Sequence, residues 1–292
     1  MKVTQFAKLF AVATLATVGL AADSSAALIV NDNFDGYANQ AAFEAVWAPI
    51  GTTAPVSGVL STAQASSPTK SVQGPGTGTN AQYRNRLTFA DTPALGIGDQ
   101  LVWSFDYYDA TPTGVPARNF VTLQDTTGPT GTNQLIAMGF NNNQTGANSG
   151  GQSYMARILG YTVPTTADPD GGATESVGGA GIFFKLNDFG TGGRVQGWQN
   201  LKVILSTDDG LSTDFAFYVN NVLAERVSNI GTAASIRQYD NIAIGSGLSN
   251  ANTEFFVDNM RLEFIKAVPE PATLALAALG MIGLVAAGRK NA

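Results

Sequence analysis

The middle of the chain contains many short runs of β-branched and aromatic residues in which apolar and polar positions alternate. Alternation with a period of two is typical of half-buried strands, and the Gly, Asn, Thr, Asp and Pro residues between the runs favour turns. The pattern predicts strands at residues 84–89, 100–108, 118–123, 134–140, 153–159, 181–186, 200–205, 213–219, 222–227, 241–244 and 254–264.

Helical periodicity is confined to residues 39–46, where apolar residues cluster as in a short helix. Many short strands without helical crossovers predict an antiparallel sandwich or barrel. The polar, Gly-rich stretch at residues 51–79 is predicted to be irregular. One hairpin is specific, because Asn220 and Asn221 separate two alternating runs and Asn tolerates the positive φ that a two-residue turn requires.

The order of these elements resembles the laminin-G and concanavalin A-like jelly-roll modules. The resemblance rests on the strand beginning at Trp198, the Asn220-Asn221 hairpin, the closing strand with Asp258-Asn259 and the opening residues 31–37. It implies an all-β, antiparallel jelly-roll sandwich over residues 28–267, in which the first strand lies near the last.

The N-terminus has the order of a secretion signal: basic residues, an apolar run without acids at residues 9–22, and small residues at 24–27. The lysines are expected to stay in the cytosol while the apolar run enters the translocon. Residues 1–27 are therefore predicted to be a signal peptide, removed by signal peptidase after residue 26 or 27. The alternative is an uncleaved membrane helix, for which the run is short.

The C-terminus joins a proline-flanked acid to an apolar run and a basic pair. The first part reads Val268-Pro269-Glu270-Pro271. Its prolines hold the backbone extended and outside the helix that follows. The apolar run at residues 272–288 would span about 25 Å as a helix, near the lower limit for a membrane span. Arg289 and Lys290 are expected to stay in the cytosol and set the orientation.

This ending resembles the PEP-CTERM sorting domain, which the membrane-embedded enzyme exosortase recognises in exopolysaccharide-producing Gram-negative bacteria. The resemblance implies that residues 268–292 hold the protein transiently in the inner membrane until exosortase processes it. The protein would then reach the cell surface or the extracellular space. The alternative is a plain tail anchor.

Two missing residue types exclude several kinds of chemistry. The sequence has no cysteine and no histidine, which excludes disulfides, thiolate nucleophiles, Ser-His-Asp triads and the usual zinc and haem ligands. The formal net charge is −6. Because Lys and Arg do not cluster, binding to nucleic acid is not expected.

A glycosidase would need paired acids that point into one cleft. Asp106 and Asp109 are three residues apart, which in a strand places them on opposite faces. Glu254 and Asp258 can share a face, but their strand lacks the Glu-x-Asp-x-x-Glu pattern of the glucanases on this scaffold. The sequence therefore predicts that the protein is not an enzyme.

A structural calcium ion suits the available ligands, because carboxylate and amide oxygens are what Ca²⁺ prefers. Asp35 and Asp258 belong to the first and last strands of the implied jelly roll and are one candidate pair. Asp168 and Asp170 have the spacing of a ligand loop, although an ordinary turn is the simpler interpretation.

Adjacent aromatic residues at Tyr107 and Tyr108 offer a platform for a sugar ring, because one of two neighbours in a strand must point outward. The alternative is that such residues fill the core. The leading hypothesis for the body is a non-enzymatic adhesive or structural module associated with exopolysaccharide. The alternatives are a lectin with a defined glycan and, less favoured, a polysaccharide hydrolase.

Overall fold

The computed structural model describes residues 25–50, 58–74, 85–110, 118–126, 134–141, 153–160, 182–228, 236–245 and 254–268. Most of the predicted signal peptide, the acidic pair Asp168 and Asp170, and the sorting tail beyond Val268 lie outside these residues. Within the part of the chain described, no helix has the length and apolarity needed to cross a bilayer.

The described residues form strands and one short helix, α1 (Gln40–Val46). The strands are β1 (Ala26–Asp32), β2 (Ala48–Pro49), β3 (Val59–Ser61), β4 (Ser71–Gln73), β5 (Asn85–Thr88), β6 (Gln100–Asp109), β7 (Arg118–Asp125), β8 (Gln134–Asn141), β9 (Met155–Leu159), β10 (Ile182–Lys185), β11 (Gly197–Ser206), β12 (Asp214–Val219), β13 (Val222–Ser228), β14 (Asn241–Ile244) and β15 (Phe255–Ile265).

These strands pair into two sheets, and every described pair is antiparallel. Sheet A has the order β13-β12-β11-β6-β15-β4-β3, and β1 also pairs with β15. Sheet B has the order β10-β9-β8-β7-β14-β5-β2. The all-β antiparallel sandwich is confirmed, and the first strand lies beside the last.

The core lies between the sheets and is built from alternate residues of each strand. On β6 these residues are Leu101, Trp103, Phe105 and Tyr107, each at most 1% exposed. Burying a large apolar side chain contributes about 1.5–3 kcal/mol. The alternation read from the sequence therefore places the same residues inside the sandwich that the structure buries.

The predicted short helix is confirmed. Asn39 caps it, because its Oδ1 accepts a hydrogen bond from the backbone N–H of Ala42 at 3.0 Å. Phe43 is fully buried and packs edge-to-face against Phe34, with ring centroids 6.1 Å apart. This contact fixes the helix on the core.

The predicted hairpin is confirmed as well. Asn220 and Asn221 have φ angles of 52° and 65°, as the tight turn between β12 and β13 requires. The irregular stretch predicted at residues 51–79 is corrected in part, because β3 and β4 lie within it. β4 pairs with β15, far along the sequence, so the local composition gave no sign of it.

A β-bulge in β15 changes which residues point outward. The register with β6 shifts between Asp258 and Arg261, and Asn259 has a φ of 48°. Val257 lies in the core before the bulge and Met260 after it. Asp258 therefore points to the outer face of sheet A.

Candidate functional site

A row of aromatic side chains crosses the outer face of sheet A. Tyr108 lies opposite Trp198 on β11 and Phe256 on β15, with ring centroids 5.3 and 5.6 Å apart. Phe256 is buried, whereas Tyr108 and Trp198 are half-buried. Tyr107 points into the core and stacks on Phe255 at 5.7 Å. Of the predicted platform, only Tyr108 lies on the outer face, because adjacent strand residues alternate.

A polar row lies beside the aromatic one, where Asp106 and Asp258 are opposite each other on β6 and β15. The carboxylate of Asp106 accepts hydrogen bonds from the side-chain amides of Asn200 at 2.9 Å and Asn259 at 2.8 Å. It also accepts one from the hydroxyl of Ser66 at 2.6 Å. Sequence reasoning had not paired these two acids, because the bulge sets their register.

Asp258 is fully buried and holds the segment that precedes β4. Its carboxylate accepts from the backbone N–H groups of Ser66 and Ser67, both at 2.8 Å, and from the Ser67 hydroxyl at 2.9 Å. Burial raises the pKa of Asp258, and these hydrogen bonds act in the opposite direction. The acidic pair therefore fastens this segment to the sheet.

Asp35 lies beyond the first strand and not on it, because β1 ends at Asp32. It binds the next residues of the same segment. Its Oδ1 accepts from the backbone N–H of Thr69 at 3.1 Å, the Thr69 hydroxyl at 2.6 Å and the backbone N–H of Lys70 at 2.8 Å. The hydroxyl hydrogen bond from Thr69 lowers the pKa of Asp35. The ammonium of Lys70 donates to the carbonyl oxygen of Tyr37 at 2.6 Å, which holds a positive charge beside this site.

The calcium hypothesis requires Asp35 and Asp258 to offer oxygen lone pairs to a shared ion. Both carboxylates instead face N–H and O–H donors of residues 66–70. Ca²⁺ takes six to eight oxygen ligands. In the ranges that the structure covers, no group of three or more acidic side chains is arranged to hold a metal ion. The shared ion stays a prediction that this geometry does not favour.

We expect chelation by EDTA to change the melting temperature by less than about 2 °C, because the hydrogen bonds to Asp35 and Asp258 persist without a metal ion. Thermal unfolding followed by circular dichroism, with calcium-saturated EDTA as the control, measures this. A fall of more than about 5 °C that added calcium restores would instead establish a structural ion.

The remaining acidic candidates do not share a cleft. Asp109 is buried and forms an ion pair with Arg194 at 2.8 Å, so it lies on the opposite side of β6 from Asp106, as the spacing predicted. Glu254 accepts a hydrogen bond from the side chain of Gln73. The acids near the closing strand therefore make structural contacts.

A groove of about 420 Å³ lies on the outer face of sheet A, at the end away from the aromatic row. Its lining includes Asp208, Asp214, Tyr218 and Arg226. Ser228 donates a hydrogen bond to Asp214. Carboxylates outnumber cations among these residues, so the groove does not suit an anionic ligand.

Several predicted site residues lie outside the described residues: Pro269, Glu270, Pro271, Arg289, Lys290, Asp168 and Asp170. Val268, the first residue of the sorting motif, is 37% exposed. It follows β15 closely, so the motif begins where the last strand of the sandwich ends.

Residues 267–290 match the family model described as the PEP-CTERM protein-sorting motif. The chain therefore carries this motif, as the sequence indicated. The motif implies export, a C-terminal membrane anchor before processing, and sorting by exosortase. No curated protein matches the sequence.

Solved structures with a similar fold include the alginate lyase Aly36B, at 11% identity and a TM-score of 0.50, with 85% of this chain and 99% of that one covered. An endo-β-1,4-glucuronan lyase from the fungus Trichoderma reesei has 11% identity and a TM-score of 0.49 over 81% and 95%. The cellulose induced protein Cip1 has 14% and 0.44 over 80% and 96%. At such identities the similarity to Aly36B concerns the fold alone.

Proposed function

We propose that this chain, which carries the PEP-CTERM motif at residues 267–290, is a matrix protein with a non-enzymatic body. Its β-sandwich acts as an adhesive or structural module associated with exopolysaccharide. The motif supports delivery to the outside of the cell. Within this proposal, signal peptidase removes residues 1–27 and the membrane holds the protein only until exosortase acts.

The non-enzymatic part of the proposal rests on the hydrogen bonds that already occupy the acidic pair Asp106 and Asp258. Asp106 and Asp258 are the acids that lie opposite each other on the outer face of sheet A, where a glycosidase would place its acid and base. Asp258 has no exposed surface, and Ser66 and Ser67 fill its hydrogen-bonding positions. These hydrogen bonds occupy the carboxylate that would have to act as acid or base in a glycosidase, which supports the non-enzymatic proposal.

A second candidate is a lectin with a defined glycan, favoured by the half-exposed rings of Tyr108 and Trp198 on one face. Aromatic rings stack on sugars because both present apolar faces. A glycan array separates the two candidates. Selective binding that Trp198→Ala abolishes would favour the lectin, and binding without selectivity would favour the structural module.

The direct test uses the mature protein recovered from the matrix of an exopolysaccharide-producing strain with active exosortase. We expect it to bind again to exopolysaccharide stripped of protein, and to release neither reducing ends nor unsaturated sugars. Glycan release that Asp106→Asn eliminates would overturn the non-enzymatic proposal. Failure to bind the stripped polysaccharide would overturn the association.

A further inference from the structure

The outer face of sheet B is buried although it points away from the core. On β7 the outward residues are Phe120, Thr122 and Gln124, which are 3%, 8% and 3% exposed. Opposite them on the neighbouring strand β14, Asn241 is 2% exposed. By contrast, the outward residues of β6 in sheet A are half-buried rather than buried, apart from exposed Gln100. We call this buried outer face the floor of sheet B.

The charged side chains on the described strands of this floor are basic, whereas the carboxylate of Asp240, just before β14, contacts the floor through the Asn241 amide. Arg86 on β5 lies in register with Ala243 and, one strand further, with Thr122. Arg157 on β9 lies in the same row across β8. Lys185 on β10 lies opposite Met155, on the same face. This cluster of cations stands out in a chain whose net charge is −6.

Among the described residues of this floor, the buried atoms without a hydrogen-bond partner include Nε of Arg86, Oε1 of Gln124 and Oδ1 of Asn241. The amide nitrogen of Gln124 donates to the Thr122 hydroxyl at 2.9 Å, and that of Asn241 donates to Asp240 at 2.6 Å. Each amide is thus fixed by its nitrogen and leaves its oxygen unsatisfied. Such atoms are rare in folded proteins and need an explanation.

The missing hydrogen bonds of these atoms indicate which chemical groups a ligand would need. The amide oxygens of Gln124 and Asn241 lie on directly opposed residues, and they require hydrogen-bond donors such as sugar hydroxyls. The guanidinium of Arg86 donates, and it prefers a carboxylate or a sulfate as acceptor. Burial lowers the pKa of Arg157, because a charged group that has lost hydration is stabilised less.

The spacing of the cations favours an extended ligand. Arg86 and Arg157 are four strands apart in the order of sheet B, which corresponds to about 19 Å. With the two backbones this far apart, a short oligosaccharide that follows the row fits both side chains better than a single small anion. Hydroxyl donors between acidic groups are the chemistry of an acidic glycan.

We propose that the outer face of sheet B is a binding site for an anionic glycan, a chain that carries carboxylate or sulfate groups. The inference rests on the proposed function, since it names the polysaccharide class to which the module attaches. Arg86 and Arg157 bind the acidic groups, and Gln124 and Asn241 accept hydrogen bonds from the hydroxyls. Neither the sorting tail nor the aromatic row of sheet A takes part.

The test measures binding of the full chain in detergent to three probes by affinity electrophoresis: dextran, dextran sulfate and oligogalacturonate. We expect an anionic probe to bind and dextran not to bind. Arg86→Gln and Arg157→Gln should each weaken binding at least about tenfold, the loss typical of a charge-assisted hydrogen bond. Arg226→Gln, which removes one charge from the groove of sheet A, should stay within about twofold.

Thermal stability separates a binding role from a structural one. Because Nε of Arg86 has no partner, Arg86→Gln should keep the melting temperature within about 2 °C of the wild type. If that variant fails to fold, Arg157→Gln still decides the result. Dextran sulfate and oligogalacturonate distinguish a sulfated from a carboxylated glycan.

The inference is overturned if neither anionic probe binds, if dextran binds equally well, or if Arg226→Gln rather than Arg86→Gln weakens binding. Its failure differs from failure of the proposed function. A protein that retains stripped native exopolysaccharide but ignores all anionic probes would disprove the anionic site and leave the matrix role standing.

Discussion

In a strain with active exosortase, the Glu270→Ala variant is expected to accumulate in the inner membrane at nearly full length. The substitution keeps Pro269, Pro271 and the apolar run at residues 272–288, so insertion and orientation should persist. It removes the only charge that an enzyme at the outer face can recognise in the motif. The processed fraction should fall at least about tenfold, as expected when a charged hydrogen-bond partner is lost.

Immunoblots of membrane and extracellular fractions, with mass spectrometry of the mature C-terminus, measure this fraction. Glu263→Ala is the matched control, because Glu263 is an acid on β15 outside the matched motif. It should be processed normally. Deletion of Arg289 and Lys290 tests the other end, since a short span without a cytosolic charge should slip through and leak into the periplasm. Wild-type protein that stays uncut, with Glu270→Ala behaving identically, would disprove sorting.

Replacing Arg194 with Met is expected to lower the stability of the sandwich by about 3–5 kcal/mol, because it leaves a buried carboxylate without its cation. Arg194 donates from Nε and Nη2 to the two oxygens of Asp109, at 2.8 and 2.9 Å. Both side chains are 2% exposed. Burial raises the pKa of Tyr154, so its hydroxyl stays protonated and donates to Asp109 at 3.4 Å.

Thermal unfolding should show a fall in melting temperature of about 10 °C for Arg194→Met. The control is Arg261→Met, because Arg261 and Glu263 form an ion pair at the same 2.8 Å but with side chains 47% and 17% exposed. That variant should lose less than about 1 kcal/mol. Adding Asp109→Asn to Arg194→Met should recover stability. Equal losses for both arginine variants would show that burial does not set the strength of these pairs.

The predicted strands were found where one face packs on the core. Because alternate residues of β6 and β11 are buried, apolar and polar residues alternate in the sequence there. The turn at Asn220 and Asn221 was predictable for a local reason, since few residues adopt positive φ. The short strands β3 and β4 were missed. They are strands because β15 provides hydrogen bonds, which no local pattern encodes.

The candidate sites were less predictable. The sequence correctly separated Asp106 from Asp109, because three residues along a strand reverse the face. It did not pair Asp106 with Asp258, which required a bulge at Asn259 and a partner strand far along the chain. Arg86, Gln124, Arg157 and Asn241 carried no signal as a group, because they lie on separate strands and share one face only when sheet B forms.

The sequence by itself carries the PEP-CTERM sorting motif, indicates the all-β class and contains neither histidine nor cysteine. Each of these features depends on contiguous residues or on composition alone. The sorting motif is one linear segment, residues 267–290. Only the tertiary structure decided which carboxylates hold the segment before β4 and which cations lie on one face of sheet B. Those relations depend on strand order and register, which join residues distant in sequence through hydrogen bonds between strands.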